Sequence, residues 1–217
     1  MNGFDELASE FYESALCPMQ FLDGVYGIPE QQTFPVLFYR TDILNELNLT
    51  VPETWDEAYN IMFELQKNNM EFGVPTGLNG YALFLYQFDG ELYTADGTAS
   101  LLDSDEIVKA FSWWTSLFSD LSMPMSYNFV NRFRSGEMPI GIADYTTYNT
   151  LTVFAPEIHG LWDMALVPGV LRQDGTINRS TPSGGTCSMI MSSCEYPAQA
   201  WQFLRWWCRG DTQRTYG

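Results

Sequence analysis

The order of apolar and polar positions divides the chain into alternating helical and extended segments. Residues 5–16 place Leu7, Phe11 and Leu16 near helical spacing behind two acids in the first turn, which predicts a first helix. The stretch from Val25 to Leu44 then carries two β-prone runs separated by Pro29 and Pro35, as expected of extended segments crossing between structural units. Thr54 followed by Glu57 is a capping-box start and predicts a helix over 54–69. A second start at Asp103–Glu106 leads into a stripe of Ile107, Phe111, Trp114 and Phe118, read as core.

Turn signals mark the segments between. Of the Asp-Gly steps at Asp89 and Asp96, the second lies between β-prone stretches as tight hairpins require, and Asp174-Gly175 repeats it. The run from Phe129 reads as a short helix stopped by Gly136, a strand at Met138–Ile142 and a new helix near Asp144. Strands are expected at 161–170 and 184–193, and a last helix from Glu195 closed by Gly210. Strands alternating with helices favour an α/β layer architecture, without repeats or low-complexity linkers.

Composition narrows the partners. With 46% hydrophobic residues over 217 positions the chain can bury a substantial core. Ten basic against 27 acidic residues give a net charge of −17, a surface that repels phosphate backbones and anionic headgroups, so nucleic acid is not an expected partner. No apolar run reaches the ~20 residues that span a bilayer, and the first residues are unlike a signal peptide. Seven Trp, 12 Tyr and 15 Phe exceed what packing usually demands and leave rings for recognition.

Catalytic and metal chemistry find little support. Cys17, Cys187, Cys194 and Cys208 lack zinc-ligand spacing and read as buried free thiols, with a Cys187–Cys194 disulfide left open. His159, the single histidine, stands beside no nucleophile elbow, and nucleotide-cradling glycine motifs do not occur, so no cofactor is expected. A carboxylate pair needs only a defined separation, which keeps a glycoside-active enzyme open, with Glu30, Glu91 and Asp144 as first candidates. Polar and aromatic residues also gather at predicted element ends: Glu30, Gln31, Gln32, Asn79, Tyr81, Tyr86, Asp144, Tyr145, Tyr148, Gly184, Gly185 and Thr186. Such a set suits a sugar, whose hydroxyls need planar donors and acceptors and whose C–H faces pack on rings.

Four fragments in order resemble one family. Tyr26-Gly27-Ile28-Pro29, followed by an apolar strand, Tyr39-Arg40-Thr41-Asp42 and Pro52-Glu53-Thr54-Trp55-Asp56-Glu57, is similar to one continuous stretch of the maltose-binding-protein-like extracellular solute-binding proteins of bacterial ABC importers. Phe133-Arg134-Ser135-Gly136 with the strand and helix after it resembles a second family element. Val167-Pro168-Gly169, the strand from Ser183 and Ala200-Trp201-Gln202-Phe203-Leu204 resemble the last two. The resemblance implies a periplasmic-binding-protein-like α/β fold (type II), mostly the second lobe with hinge-crossing strands. By it, 1–35 and 180–217 hold hinge crossings and first-lobe elements, and 36–179 the second lobe. It implies capture of a small solute, expected to be a mono- or oligosaccharide, by hinged lobe closure and without catalysis, for delivery to ABC permease subunits. A sensory module presenting the same cargo to a receptor is the other reading. It places Glu30–Gln32 at the first hinge passage, Tyr81 and Tyr86 on a cleft-facing helix, Tyr145 and Tyr148 after the strand, and Gly184–Thr186 at the return crossing. The first lobe's opening region would lie before Met1, giving an extracellular protein anchored through a missing N-terminal region, or a periplasmic one. Trp206 and Trp207 are then expected to be exposed.

Overall fold

A computed structural model describes residues 3–216, and the chain divides into two units: 1–33 with 183–217, and 34–182. In chain order the elements are α1 (Phe4–Ala8), α2 (Glu13–Leu16), β1 (Gln20–Phe21), β2 (Gly24–Val25), β3 (Ile28–Thr33), β4 (Pro35–Arg40), α3 (Thr41–Glu46) and α4 (Trp55–Lys67). Next come β5 (Phe72–Gly73), α5 (Gly77–Gln87), α6 (Asp105–Ser119), α7 (Phe129–Ser135), β6 (Ile140–Asp144), α8 (Thr147–Phe154) and β7 (Trp162–Ala165). The chain closes with β8 (Val170–Leu171), β9 (Ile177–Asn178), β10 (Gly184–Ser188), α9 (Pro197–Trp207) and α10 (Gly210–Tyr216).

The larger unit is built on a four-stranded sheet in the order β5-β6-β4-β7, parallel between β5 and β6 and antiparallel elsewhere. Strand β4 is apolar on both faces because both are covered. Leu37 joins Ile140 and Ile142 in one core with Trp55, Met62 and Leu65 of α4, Leu83 and Phe84 of α5 and Leu117 of α6. Val36 and Phe38, pointing the other way by the strand's two-residue period, pack with Phe133 of α7 and Leu151 of α8.

Two polar devices fasten these layers. At the start of α4 the Glu57 amide donates to Thr54 Oγ1 (3.3 Å) and the Thr54 amide to the Glu57 carboxylate (3.4 Å), the expected capping box. Trp55 Nε1 donates to Gln87 Oε1 (2.6 Å), and Gln87 Nε2 to the Pro168 carbonyl (3.1 Å), so a fully buried amide ties α4, α5 and the segment before β8. Asn178 extends the network, its Nδ2 donating to the Tyr86 and Gln87 carbonyls (both 3.0 Å).

The smaller unit pairs β3 with β10 and β1 with β2, both antiparallel, and buries a compact cluster of Leu7, Ile28 and Cys208 packed by Phe11, Trp201 and Trp207. Large apolar side chains remain exposed on it, among them Phe21, Leu22, Tyr26, Phe203 and Trp206.

Several sequence expectations are corrected. The first helix is two short ones: Ser9 Oγ donates to the Glu6 carbonyl (2.7 Å) where α1 ends, and α2 restarts after Tyr12. The strand expected at Met138–Ile142 is Ile140–Asp144, because the Met138 amide is spent on the Arg132 carbonyl (3.0 Å) behind α7 and Pro139 has no N–H. The following helix accordingly begins at Thr147 rather than near Asp144, which ends the strand. Gly210 opens α10 instead of closing α9, which stops at Trp207. Phe111 is 52% exposed, not core, while Ile107 of the same stripe is buried. All four cysteines are free, and only Cys208 is buried; Cys17 is exposed. The expected stop at Gly136 is present, with φ 85° in the left-handed region that glycine tolerates. The Asp174 turn joins β8 to β9. Around Asp96 the hairpin is reduced to a tight turn with one bridge, Tyr93 to Ser100.

Candidate functional site

In the smaller unit the paired strands β3 and β10 bring six of the singled-out residues together. Gln31 lies opposite Thr186, Gln32 opposite Gly185 and Thr33 opposite Gly184. The register slips between Thr186 and Cys187, whose partner is Pro29, so Glu30 is the extra residue of a bulge, a device that re-aims a side chain. Its carboxylate turns toward α9 and accepts from Trp207 Nε1 (2.6 Å) and from Ser188 Oγ (3.2 Å). Both oxygens are thus committed to holding α9 against the strand pair, a structural use of the acid first considered for catalysis. Gln31, Gln32, Gly184, Gly185 and Thr186 are exposed along this ribbon. Gly185 is required by space: a Cβ there would stand 2.3 Å from the Gln31 carbonyl oxygen.

In the larger unit Asp144, Tyr145 and Tyr148 gather at one end of the β4–β6 pair. Asp144 is opposite Pro35, and the Tyr145 amide donates to the Phe34 carbonyl (2.9 Å), which carries the pairing one step past the strand and fixes Tyr145 beside Phe34. The two rings stack at 5.6 Å with an interplanar angle of 19°. One turn on, the Tyr148 amide donates to the Tyr145 carbonyl (3.0 Å) and sets the second tyrosine ring 6.4 Å away at only 8°. Tyr148 is backed edge-on by Trp162 of β7 at 5.7 Å and 65°. Trp162 is anchored against Phe38 and Phe133. Phe34, Tyr145 and Tyr148 are 42%, 44% and 41% exposed, so three near-parallel rings stand half out of the unit on an anchored base, and Asp144, the last residue of β6, is exposed as well. Such a ladder offers flat apolar faces, and each tyrosine adds a hydroxyl that can donate or accept.

Helix α5 carries the remaining residues. Tyr81 packs edge-on to Phe111 (5.7 Å) and against Trp114 (5.9 Å), and its hydroxyl donates to the Ile107 carbonyl at 3.4 Å. Burial raises the pKa of that hydroxyl above the ordinary phenol value. Its ring therefore seals α5 to α6. Tyr86 and Asn79 are exposed. The ring contacts and hydrogen bond of Tyr81 are with α6, not with the Tyr145–Tyr148 ladder. Glu91 and His159 are exposed. Among the described residues no group of three or more His, Cys, Asp or Glu side chains could hold a metal ion. Among them, too, no helix is long and apolar enough to cross a membrane.

Sequence reasoning missed Phe34 and Trp162. Phe34 was one more apolar residue between Thr33 and Pro35, and Trp162 one more strand residue. Only the register, which runs Arg40 opposite Trp162 and the Tyr145 amide onto Phe34, reveals that both join the tyrosines.

Comparison with known structures finds the same fold. A solute-binding protein of an ABC transporter from Thermotoga lettingae, bound with α-D-tagatose, is 21% identical, with a TM-score of 0.79 over 99% of this chain and 59% of its own. A maltose-bound MalE3 of T. maritima is 20% identical, with a TM-score of 0.80 over 97% of this chain and 57% of its own. The sugar-binding protein MalE from the phytopathogen Xanthomonas citri is 18% identical, with a TM-score of 0.77, covering 95% and 54%. The chain thus spans less than two thirds of the length of these proteins. A search of curated proteins gives no match. At this identity the likeness establishes an α/β fold of the periplasmic-binding-protein kind. The profile of bacterial extracellular solute-binding proteins matches residues 2–217, and the chain belongs to that family, one of binding proteins rather than enzymes.

Proposed function

We propose that this chain is the greater part of the ligand-gripping region of an extracellular substrate-binding component of an ABC importer, and that its solute is a carbohydrate. The observation that carries the reading is the ladder of Phe34, Tyr145 and Tyr148, three half-exposed and nearly parallel rings, with the exposed Asp144 preceding Tyr145 in the chain. A pyranose presents a C–H face that packs on such rings and hydroxyls that a carboxylate accepts from. Sugars named with the similar structures, tagatose and maltose among them, agree with that class. In this reading 34–182 is the second lobe, and 1–33 with 183–217 supplies first-lobe elements and two chain crossings. On the smaller unit Gln31, Gln32 and Gly184–Thr186 offer exposed amide and backbone groups along the ribbon, and on α5 of the larger unit Asn79 and Tyr86 are secondary candidates, whereas Tyr81 is taken up by its contacts with α6. Capture proceeds by hinged closure, cargo passes unchanged to permease subunits, and the protein is held outside the cell by an anchor or confined to a periplasm.

The test is a thermal-shift screen of the protein, in its full-length form, against mono- and oligosaccharides, amino acids and polyamines. Ligand binding to the native state raises the melting temperature. A sugar is expected to raise it and to change the emission of Trp162, which touches Tyr148. Tyr145→Ala and Tyr148→Ala should each weaken that sugar by about 1–3 kcal/mol with the fold intact. A shift by a polyamine or amino acid and by no sugar overturns the carbohydrate assignment.

A further inference from the structure

The foot of the β1–β2 hairpin holds a pocket of about 340 Å³ lined by three sulfur-bearing side chains, Met19, Cys187 and Met189, together with Phe21, Tyr26 and Gly27. None belongs to the ring ladder. Cys187 is a free thiol, half-buried, and lies directly after the register slip of β10, so the bulge sets its direction. Gly27 separates the sulfurs. A Cβ on Gly27 would stand 3.1 Å from Cys187 Sγ and 3.4 Å from Met19 Sδ, while its φ lies outside the positive range that favours glycine. The backbone there does not demand glycine; the open space between two sulfurs does.

Thiolate and thioether donors with no imidazole or carboxylate in the lining are a soft set, suited to a d¹⁰ monovalent ion and poorly suited to magnesium, calcium or manganese. A metal–sulfur bond of about 2.3 Å asks two sulfur donors to stand within roughly 4.6 Å of each other. Cys187 Sγ and Met19 Sδ both flank the point where a Gly27 Cβ would be, so they stand no further apart than the sum of those two distances, and shared coordination calls on the flexible methionine to turn toward the thiol. Met189, 56% exposed and directly after β10, lines the same pocket and offers the third sulfur. We infer that Met19, Cys187 and Met189 form a three-sulfur site for copper(I). Binding is coordination alone: the Cys187 thiol loses its proton to solvent as the Cu–S bond forms, and no electron is transferred.

The experiment is an anaerobic titration of the full chain with copper(I) in competition with a coloured copper(I) chelator, repeated with silver(I) as a redox-silent probe. One ion per chain is expected, with release of one proton. Cys187→Ser should abolish this stoichiometric binding. Met19→Leu and Met189→Leu, which keep volume and fold, should each weaken it about tenfold or more, as should Gly27→Ala by filling the space. Cys17→Ser and Cys194→Ser should bind as the parent does. Binding that survives Cys187→Ser, or that is unmoved by both methionine variants, overturns the site, the latter by reducing it to a lone surface thiol. Should Cys187→Ser fail to fold, the two methionine variants still decide between the three-sulfur site and a lone thiol. Sugar affinity is expected to be the same with and without the ion, so this result stands apart from the carbohydrate reading.

Discussion

The two units solve the burial problem differently. The larger encloses a sheet between two helical layers, so that Leu37 and Phe38, neighbours in sequence, are both fully buried on opposite faces. The smaller rests a two-stranded ribbon on the α9 aromatics, with Ile28 and Cys208 at its centre, and leaves Phe21, Leu22, Tyr26, Phe203 and Trp206 largely exposed. Local stability follows buried apolar contact, so the smaller unit is expected to open first while the larger sets the global stability. The ring ladder stands on the stable unit, and the sulfur pocket on the labile one.

The largest effect should come from Phe38→Ala, which empties a fully buried aromatic site and should cost about 3–5 kcal/mol in denaturant unfolding of the larger unit. Ile28→Ala should instead raise hydrogen exchange of β3 and β10 amides while those of β4 and β6 keep their protection. Equal loss in both strand sets would show that the units open together and would end the comparison.

Next is Gln87→Ala. It strands the buried Trp55 indole donor and the Pro168 carbonyl and leaves a cavity, for a loss of about 2–4 kcal/mol confined to the larger unit. In the smaller unit the matching probe is Gly185→Ala, whose methyl collides with the Gln31 carbonyl and should cost about 1–3 kcal/mol. Gly184→Ala, whose Cβ meets nothing nearer than 3.9 Å, should be silent. If both glycine variants melt alike, close approach is not what fixes the β3–β10 ribbon.

What could be read in the sequence was what short-range chemistry decides. The capping box at Thr54 and Glu57 specifies α4, Ser104 starts α6, and Gly136 ends α7, because each satisfies orphan backbone groups within a few residues. Failures occur where a distant partner decides. The β6 boundary depends on how the α7 exit spends the Met138 amide, and the exposure of Phe111 on how little of α6 its neighbours cover. Among the candidate site residues, Tyr145 and Tyr148 were visible as a local pair. Their ladder was not, since Phe34 and Trp162 are brought in by strand register across more than a hundred residues and fourteen residues respectively. Glu30 shows the opposite error: an acid among polar residues looks free, and only the bulge and the Trp207 indole reveal that it is held.

The smallest effect separates the units by pH. Burial, assisted by the nearby Glu30 charge, pushes the Cys208 thiol up to about 11 in the smaller unit. Burial likewise pushes the Tyr127 hydroxyl, which donates to the Val74 carbonyl at 2.8 Å, up to about 12 in the larger. Each group favours its protonated form in the folded state, so its contribution is complete below the unfolded pKa and is lost as pH rises from that value toward the folded one. For an ordinary thiol that loss begins near 9 and for a phenol near 10. Raising the pH from 8 to about 9.5 should therefore weaken the smaller unit by somewhat under ~1 kcal/mol and leave the larger almost unchanged. Hydrogen exchange corrected for intrinsic rates, or reaction of Cys208 with a thiol reagent, reads this directly. Cys208→Ala should flatten the response of β3 and β10. A pH dependence that persists in that variant would assign the alkaline lability to another group and remove Cys208 as the titrating centre of the weaker unit.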